Sequence, residues 1–328
     1  MPLDRLPGAG YNKQKEEETV KFGILTSGGD CAGLNAVIRS IGMYLERNVR
    51  NAEIVGIPDG YGGLIRGESF PLKREMYEDI LAVGGTVLGT SRQPFKKMTL
   101  PEEGGSKLSK MVANYRKMKL DCLFTLGGAG THKNAALLSM EGCHVIGVPK
   151  TIDNDIYGTD VTFGFQSAIN VASQAIDCIH TTAASHNRVF IVEVMGHKVG
   201  WLTLYAGVAS GADIILLPEI PYDINKVIEA INKRTREGKG FTILAVAEGA
   251  ISKEDAALSK KEYKKKMEQS KYPSVSYELA DRIREISGTE VRVTVPGHTQ
   301  RGGSPCPYDR ALCTRLGSAA ARAIVEED

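Results

Sequence analysis

The sequence predicts a doubly wound α/β fold in two lobes, each built on a mostly parallel sheet. Two observations predict it. Short β-branched runs repeatedly end in glycine and lead into helix-patterned stretches, the mark of βαβ units and so of parallel strands. A length of 328 residues, 42% hydrophobic, suits two domains of ordinary size better than one core.

The units run in order along the chain. Residues 22–26 precede Ser27-Gly28-Gly29-Asp30 and the apolar-patterned 34–45. Residues 122–126 precede Gly127-Gly128-Ala129-Gly130-Thr131 and a helical stretch over 134–140, and 145–148 precede Pro149. Later runs are 189–194 before Met195-Gly196, 241–247 before Glu248-Gly249, and 291–295 before Pro296-Gly297. Every one of these glycine clusters falls at a strand's carboxyl end, where ligands gather in such folds. Residues 252–271 are Lys/Glu-rich and read as a solvated helical excursion. The chain stops at Asp328 just after the alanine-rich helical pattern 311–325, an abrupt end for a fold of this class.

Composition narrows the partners. Lys and Arg total 41 against 39 Asp and Glu, a net +2 with 6% aromatic residues, which disfavours a basic, aromatic-laced nucleic-acid surface. The six histidines lie in no Glu-bearing His-x-x-x-His pattern, so a metal hydrolase fits poorly. No 18-residue apolar run spans a membrane, and residues 1–19 are polar without the apolar core of a secretory signal. The six cysteines form no Cys-x-x-Cys pair and read as thiols in a reducing, cytoplasmic compartment.

Gly28-Gly29 and Gly127–Thr131 are both strand-to-helix turns, in which glycine lets the backbone and helix-terminal amides approach a phosphate. Neither is a P-loop or a Gly-x-Gly-x-x-Gly fingerprint. A single such turn is more often there for packing; two in adjacent βαβ units favour phosphate. Thr151-Ile152-Asp153-Asn154-Asp155 carries two carboxylates at a spacing that projects both to one side of an extended segment. One could take a hydroxyl proton while the other orients substrate or metal, or the segment is an Asx-turn capping backbone amides. Arg92, Arg188, Arg292, His298 and Arg301 stand at or near other strand ends, and guanidinium forks suit phosphate.

Together, residues 25–39, 149–155, Val192-Glu193-Val194-Met195-Gly196 and 297–305 resemble the 6-phosphofructokinase family, in family order and over nearly the whole chain. The resemblance implies two Rossmann-like lobes: residues 1–164 plus about 300–328 for the phosphoryl donor, and 165–299 for fructose 6-phosphate. It implies phosphoryl transfer from ATP to the sugar 1-hydroxyl. Asp153 would be the general base, with Thr151, Asp155 and Lys150 completing the catalytic set. Gly29, Arg92, Gly127, Gly128, Gly130 and Thr131 would line the donor. Thr151, Asp153, Arg188, Met195, Gly196, His197, Glu248, Arg292, His298 and Arg301 would bind the sugar phosphate. Arg188 and Arg292 would reach in from a neighbouring subunit, so the protein would be a homo-oligomer, dimer or tetramer, with shared sites. Mg2+ would accompany ATP.

The sequence departs from the family in three places. Ala129 stands where the family has the Asp that helps hold magnesium, and a methyl group cannot ligate a hard cation; impaired turnover is the expected consequence. His197 occupies a position often held by arginine, and in an extended segment Lys198 would project to the other face. The final strand and helix usual after Val325 are missing. Gly130 leaves open the space that an Asp fills in pyrophosphate-using relatives and favours ATP, whereas Lys150 resembles the pyrophosphate enzymes. The alternatives are therefore a pyrophosphate-dependent fructose 6-phosphate 1-phosphotransferase and a catalytically silent regulatory subunit. A lipid or NAD kinase would share only the Gly-Gly-x-Gly loop.

Overall fold

The computed structural model describes residues 19–326; nearly all of the polar amino-terminal stretch lies outside them. In chain order the elements are β1 (Val20–Ser27), α1 (Leu34–Asn48), β2 (Ala52–Gly56), α2 (Tyr61–Arg66), β3 (Phe70–Pro71), α3 (Lys107–Lys117), β4 (Cys122–Gly127), α4 (Ala129–Met140) and β5 (Val145–Pro149). Then come α5 (Phe165–His186), β6 (Val189–Val194), α6 (Trp201–Ala209), β7 (Ile214–Leu216), α7 (Ile224–Arg236), β8 (Thr242–Ala247), α8 (Lys253–Ala256), α9 (Lys260–Gln269), α10 (Val275–Ser287), β9 (Val291–Thr294) and α11 (Pro307–Glu326). A 3-10 turn, Gly297–Arg301, separates the last two.

The chain forms two compact units. One holds the residues up to Thr151, Ile156–Gly164 and those from Gly303 on; the other holds Ile152–Asp155 and Phe165–Gly302. In the first, the sheet order is β3-β2-β1-β4-β5, parallel except for the antiparallel β2–β3 pair. All of β4 and all but Lys21 of β1 are buried, which is why these strands read as nearly continuous apolar runs. Leu25, Leu123, Tyr61, Met111 and Leu138 share one core cluster. On α11, Gly317 lets α1 approach closely: an added Cβ would lie 2.7 Å from the Ser40 Cβ.

This order has a consequence for ligands. The chain leaves β1 towards β2 on one side and leaves β4 towards β5 on the other, while β1 and β4 are neighbours with Ser27 opposite Gly127. Their carboxyl ends therefore flank the point where the winding reverses, the place such sheets use for ligands.

The second unit has a four-stranded parallel sheet in the order β7-β8-β6-β9. Ile191, Leu216, Leu244 and Val246 pack with Val227 and Ile231 of α7 and Leu279 and Ile283 of α10. Burying each such side chain is worth roughly 1.5–3 kcal/mol. The charged excursion forms α8 and α9, the latter started by a Ser259–Glu262 capping box and with no buried residue.

Candidate active site

In the first unit, Gly28 adopts φ 91°, and its N–H donates to the Ser91 carbonyl at 3.0 Å. The second glycine motif is a helix start rather than a loop before one. Helix α4 begins at Ala129, five residues earlier than its apolar pattern suggested, with Gly128 as N-cap. Ala129 and Gly130 thus supply the first amides of the helix, which no preceding carbonyl of a regular turn satisfies and which suit an anion.

The glycines of this motif have different jobs. A Cβ at Gly127 would lie 2.2 Å from Thr131 Oγ1 and 2.7 Å from the Ser27 carbonyl oxygen, so glycine is required there by packing. A Cβ at Gly130 would meet nothing within 4 Å. Thr131 is buried; its hydroxyl donates to the Ser27 carbonyl at 3.3 Å and its own carbonyl accepts from Tyr61 Oη at 2.9 Å. The Thr131 hydroxyl thus donates its proton within the unit, joining β1 to α4.

Lys150 follows β5 and is 4% exposed. Its backbone N–H donates to the Gly127 carbonyl at 2.9 Å, and its ammonium donates to the Gly29 carbonyl. One buried cation thus touches the first glycine turn and anchors beside the second. Arg92 is exposed on a loop fixed on either side, at the Ser91 carbonyl by Gly28 and at the Gln93 carbonyl by Asn134 Nδ2 (3.0 Å). Sequence reasoning missed His132, in the first turn of α4. Burial chiefly, and the Lys150 charge, push its pKa below the usual range against a hydrogen bond to the Gly127 backbone; its Nε2 is buried without a partner. Its ring lies over Gly147, where an added Cβ would be 2.5 Å from Nδ1.

The segment carrying Asp153 is not the extended strand that the spacing argument assumed. The chain bends at Ile152 and Asp153, and Asn154 has φ 52°, a left-handed conformation that Asn tolerates unusually well. The period-2 argument for placing Asp153 and Asp155 on one side therefore fails. Thr151 is buried, with its carbonyl accepting from Thr162 Oγ1 at 2.8 Å. Asp153 is half-buried and Asp155 exposed.

In the second unit, the loop leaving β6 is a tight turn. Val199 N–H donates to the Gly196 carbonyl at 3.0 Å, Gly196 has φ 144° and His197 φ 51°. A turn here also removes the premise that His197 and Lys198 alternate along an extended segment. Glu248, just after β8, accepts the N–H of Gly196 at 3.2 Å and of His197 at 2.7 Å through one oxygen, Oε1. Met195 N–H donates to Gln300 Oε1 at 3.2 Å, and Gln300 Nε2 to the Gly297 carbonyl at 3.1 Å. Gln300, 2% exposed, so ties the β6 loop to the turn bearing His298 and Arg301. Gln300 falls within residues 297–305, and a glutamine inside that glycine-rich loop is the one sequence signal for it.

Arg188 and Arg292 are elsewhere. Arg188 precedes β6 and Arg292 is opposite Phe190 near its start, while Met195 follows its end. The six residues of β6 lie between Arg188 and Met195, seven steps or about 23 Å at 3.3 Å per residue. Both arginines bond Glu290, Arg188 Nε to Oε2 at 2.9 Å and Arg292 Nη2 to Oε1. Arg188 first, and Arg292 with it, hold the Glu290 carboxyl below its usual range. Those residues expected to bind the sugar phosphate that stand on this sheet or its loops thus split, within one chain, between its two ends.

The described residues contain no group of three His, Cys, Asp or Glu side chains able to hold a metal ion, and position 129 offers only a methyl group. A metal centre built from protein ligands alone is therefore not preassembled among the described residues.

Comparison with known proteins identifies the family. The phosphofructokinase family model matches residues 21–324. An ATP-dependent 6-phosphofructokinase of Spirochaeta thermophila is 52% identical over 320 residues, covering 96% of this chain and 87% of the relative. A pyrophosphate–fructose 6-phosphate 1-phosphotransferase of Amycolatopsis methanolica is 44% identical over 310 residues, covering 94% and 88%. Among solved structures, Pichia pastoris phosphofructokinase in the T-state matches with a TM-score of 0.80 and 33% identity over 95% of this chain, which spans 33% of that longer one. The four motifs, the two mostly parallel sheets and the family match agree: this chain belongs to the phosphofructokinase family.

Proposed function

We propose that the protein is an ATP-dependent 6-phosphofructokinase of glycolysis, a cytoplasmic kinase that transfers the terminal phosphoryl group of ATP to the 1-hydroxyl of fructose 6-phosphate. The observation that carries this reading is the pairing of two glycine turns, Gly28-Gly29 and Gly128–Gly130, at the neighbouring ends of β1 and β4, with Lys150 bonded to Gly29. Phosphoryl transfer asks for positioned anions and neutralised charge more than for covalent chemistry, and helix amides plus a buried ammonium supply both.

In this reading the unit bearing those turns is the donor lobe and the other is the sugar-phosphate lobe. Asp153 takes the proton of the attacking hydroxyl, with Thr151 and Asp155 holding the sugar end. Met195, Gly196, His197, Glu248, His298 and Arg301 bind the sugar phosphate at the carboxyl end of the second sheet. Magnesium enters with the nucleotide as the Mg-ATP substrate, since Ala129 provides no oxygen for it. Arg188 and Arg292 serve a second copy of the chain, because about 23 Å of strand separates Arg188 from Met195 of its own sheet. The active form is accordingly a homo-oligomer.

Pyrophosphate is the competing donor, favoured by the Lys150–Gly29 contact and by the Amycolatopsis relative. The open space at Gly130 favours the larger nucleotide. A coupled assay with fructose 6-phosphate and either donor decides: turnover with Mg-ATP is expected, and turnover with pyrophosphate alone overturns the choice. Sedimentation of wild type against Arg188→Glu tests the shared site. Mixing Arg188→Glu with a Glu248→Ala variant should restore activity, since each chain supplies what its partner lacks.

A further inference from the structure

Residues 83–93 contain no helix or strand, yet they are stitched to the first unit along most of their length. Asn35, in the first turn of α1 and 1% exposed, holds one end. Its Nδ2 donates to the carbonyls of Val83 and Gly84, both at 3.1 Å, and its Oδ1 accepts the Val87 N–H at 2.8 Å. Thr26, fully buried in β1, holds the middle: its hydroxyl donates to the Gly89 carbonyl at 2.6 Å and lies 2.9 Å from Thr86 Oγ1. At the far end Thr90 Oγ1 donates to the Gly28 carbonyl at 2.8 Å while Gly28 N–H donates to Ser91. The segment is thus laid against the first glycine turn and delivers Arg92 beside it.

We propose that Asn35 is a positioning residue for the phosphoryl donor, acting through this strap to set Arg92 and the Gly28 turn. The inference rests on the donor-site reading above. A buried amide whose two carbonyl partners and one N–H partner all belong to a single loop fixes that loop's path, and truncating it strands three backbone groups. Because the strap meets the donor turn, the loss should fall on the donor and spare the sugar phosphate.

The test compares Asn35→Ala with Asn114→Ala. Asn114, elsewhere in the same unit, caps α2 in a similar manner, its Nδ2 donating to the Leu64 and Ile65 carbonyls at 2.8 and 3.0 Å. Calorimetry with ATP and with pyrophosphate, without sugar phosphate, is read beside both KM values and the melting temperature. Asn35→Ala is expected to weaken binding of the wild-type donor by about tenfold or more, the scale of buried hydrogen-bonding groups left unmet. Its KM for fructose 6-phosphate should stay within about twofold and Asn114→Ala should leave donor binding within that same margin, since neither site shares a partner with those side chains. Donor affinity unchanged in Asn35→Ala, or lowered equally in Asn114→Ala, overturns the proposal. Thr26→Val, which deletes the middle clamp at nearly constant shape, is read the same way and decides the matter if Asn35→Ala does not fold. Wild-type protein that binds neither donor overturns the donor-site reading itself; wild-type binding matched by both strap variants overturns only the role of the strap.

Discussion

Glu248 accepts the backbone N–H of His197 at 2.7 Å and that of Gly196 at 3.2 Å, so one carboxylate on the loop after β8 fixes the turn after β6. A turn that places His197 at φ 51° needs such a hold, because a non-glycine residue there is intrinsically disfavoured. Replacing Glu248 by Ala should raise the KM for fructose 6-phosphate by about tenfold or more, as expected for losing hydrogen bonds to a charged acceptor. Calorimetry with ATP should give donor binding close to wild type, and Glu248→Gln, which keeps an acceptor, should fall between. Equal losses on both substrates would count against this division of labour.

Asp153 is the proposed proton acceptor. Asp153→Asn keeps the shape and removes the base, and kcat should fall by about 10²–10⁴-fold, the usual contribution of a positioned acid or base. Binding of ATP and of fructose 6-phosphate, each measured alone, should change only a few-fold. A variant retaining most of its turnover would assign the base to another group.

Ala129 opens α4, next to the open space at Gly130. An acid introduced there would offer an oxygen ligand to nucleotide-borne magnesium and would also sit favourably at a helix N-terminus. Ala129→Asp should raise kcat by about tenfold or more in a coupled assay, the scale of added transition-state charge stabilisation. Unchanged kcat would remove residue 129 from the account of metal binding.

His132 makes stability depend on pH. Its pKa is lowered in the folded chain, by burial first and by Lys150 second. The unfolded chain therefore takes up a proton that the folded chain refuses, and the favourable contribution is fully present above the unfolded value of about 6.5 and is lost as pH falls through it. Urea unfolding at pH 7.5 and 5.5 should show a larger drop in midpoint for wild type than for His132→Gln. Parallel midpoints in the two proteins would mean that the ring is free to protonate in place.

Some of this was legible in the sequence because its causes are local. Runs such as Cys122–Gly127 announce buried strands by composition, and Gly28 and Gly196 mark turns whose positive φ glycine accepts easily. Spacing and apolar pattern fell short where a single backbone dihedral or a partner far along the chain sets the conformation. Period-2 spacing predicts Asp153 and Asp155 on one side of an extended segment, yet Asn154 turns the chain between them. The apolar pattern of α4 begins at Asn134, whereas the helix starts at Ala129, where Gly128 caps it and the Gly127–Lys150 bond holds its approach.

By itself the sequence determined the order of the βαβ units, the family and the residue types proposed to meet phosphate, all of them encoded in periodicity, turn chemistry and motif spacing. Only the tertiary structure decided that β1 and β4 adjoin, that Lys150 closes on Gly29, that Gln300 and Glu248 hold the β6 loop, and that Arg188 and Arg292 stand at the opposite end of their sheet from Met195. Strand order and hydrogen-bond partners are relations between distant residues, fixed by which pairing buries the most apolar surface with its polar groups satisfied.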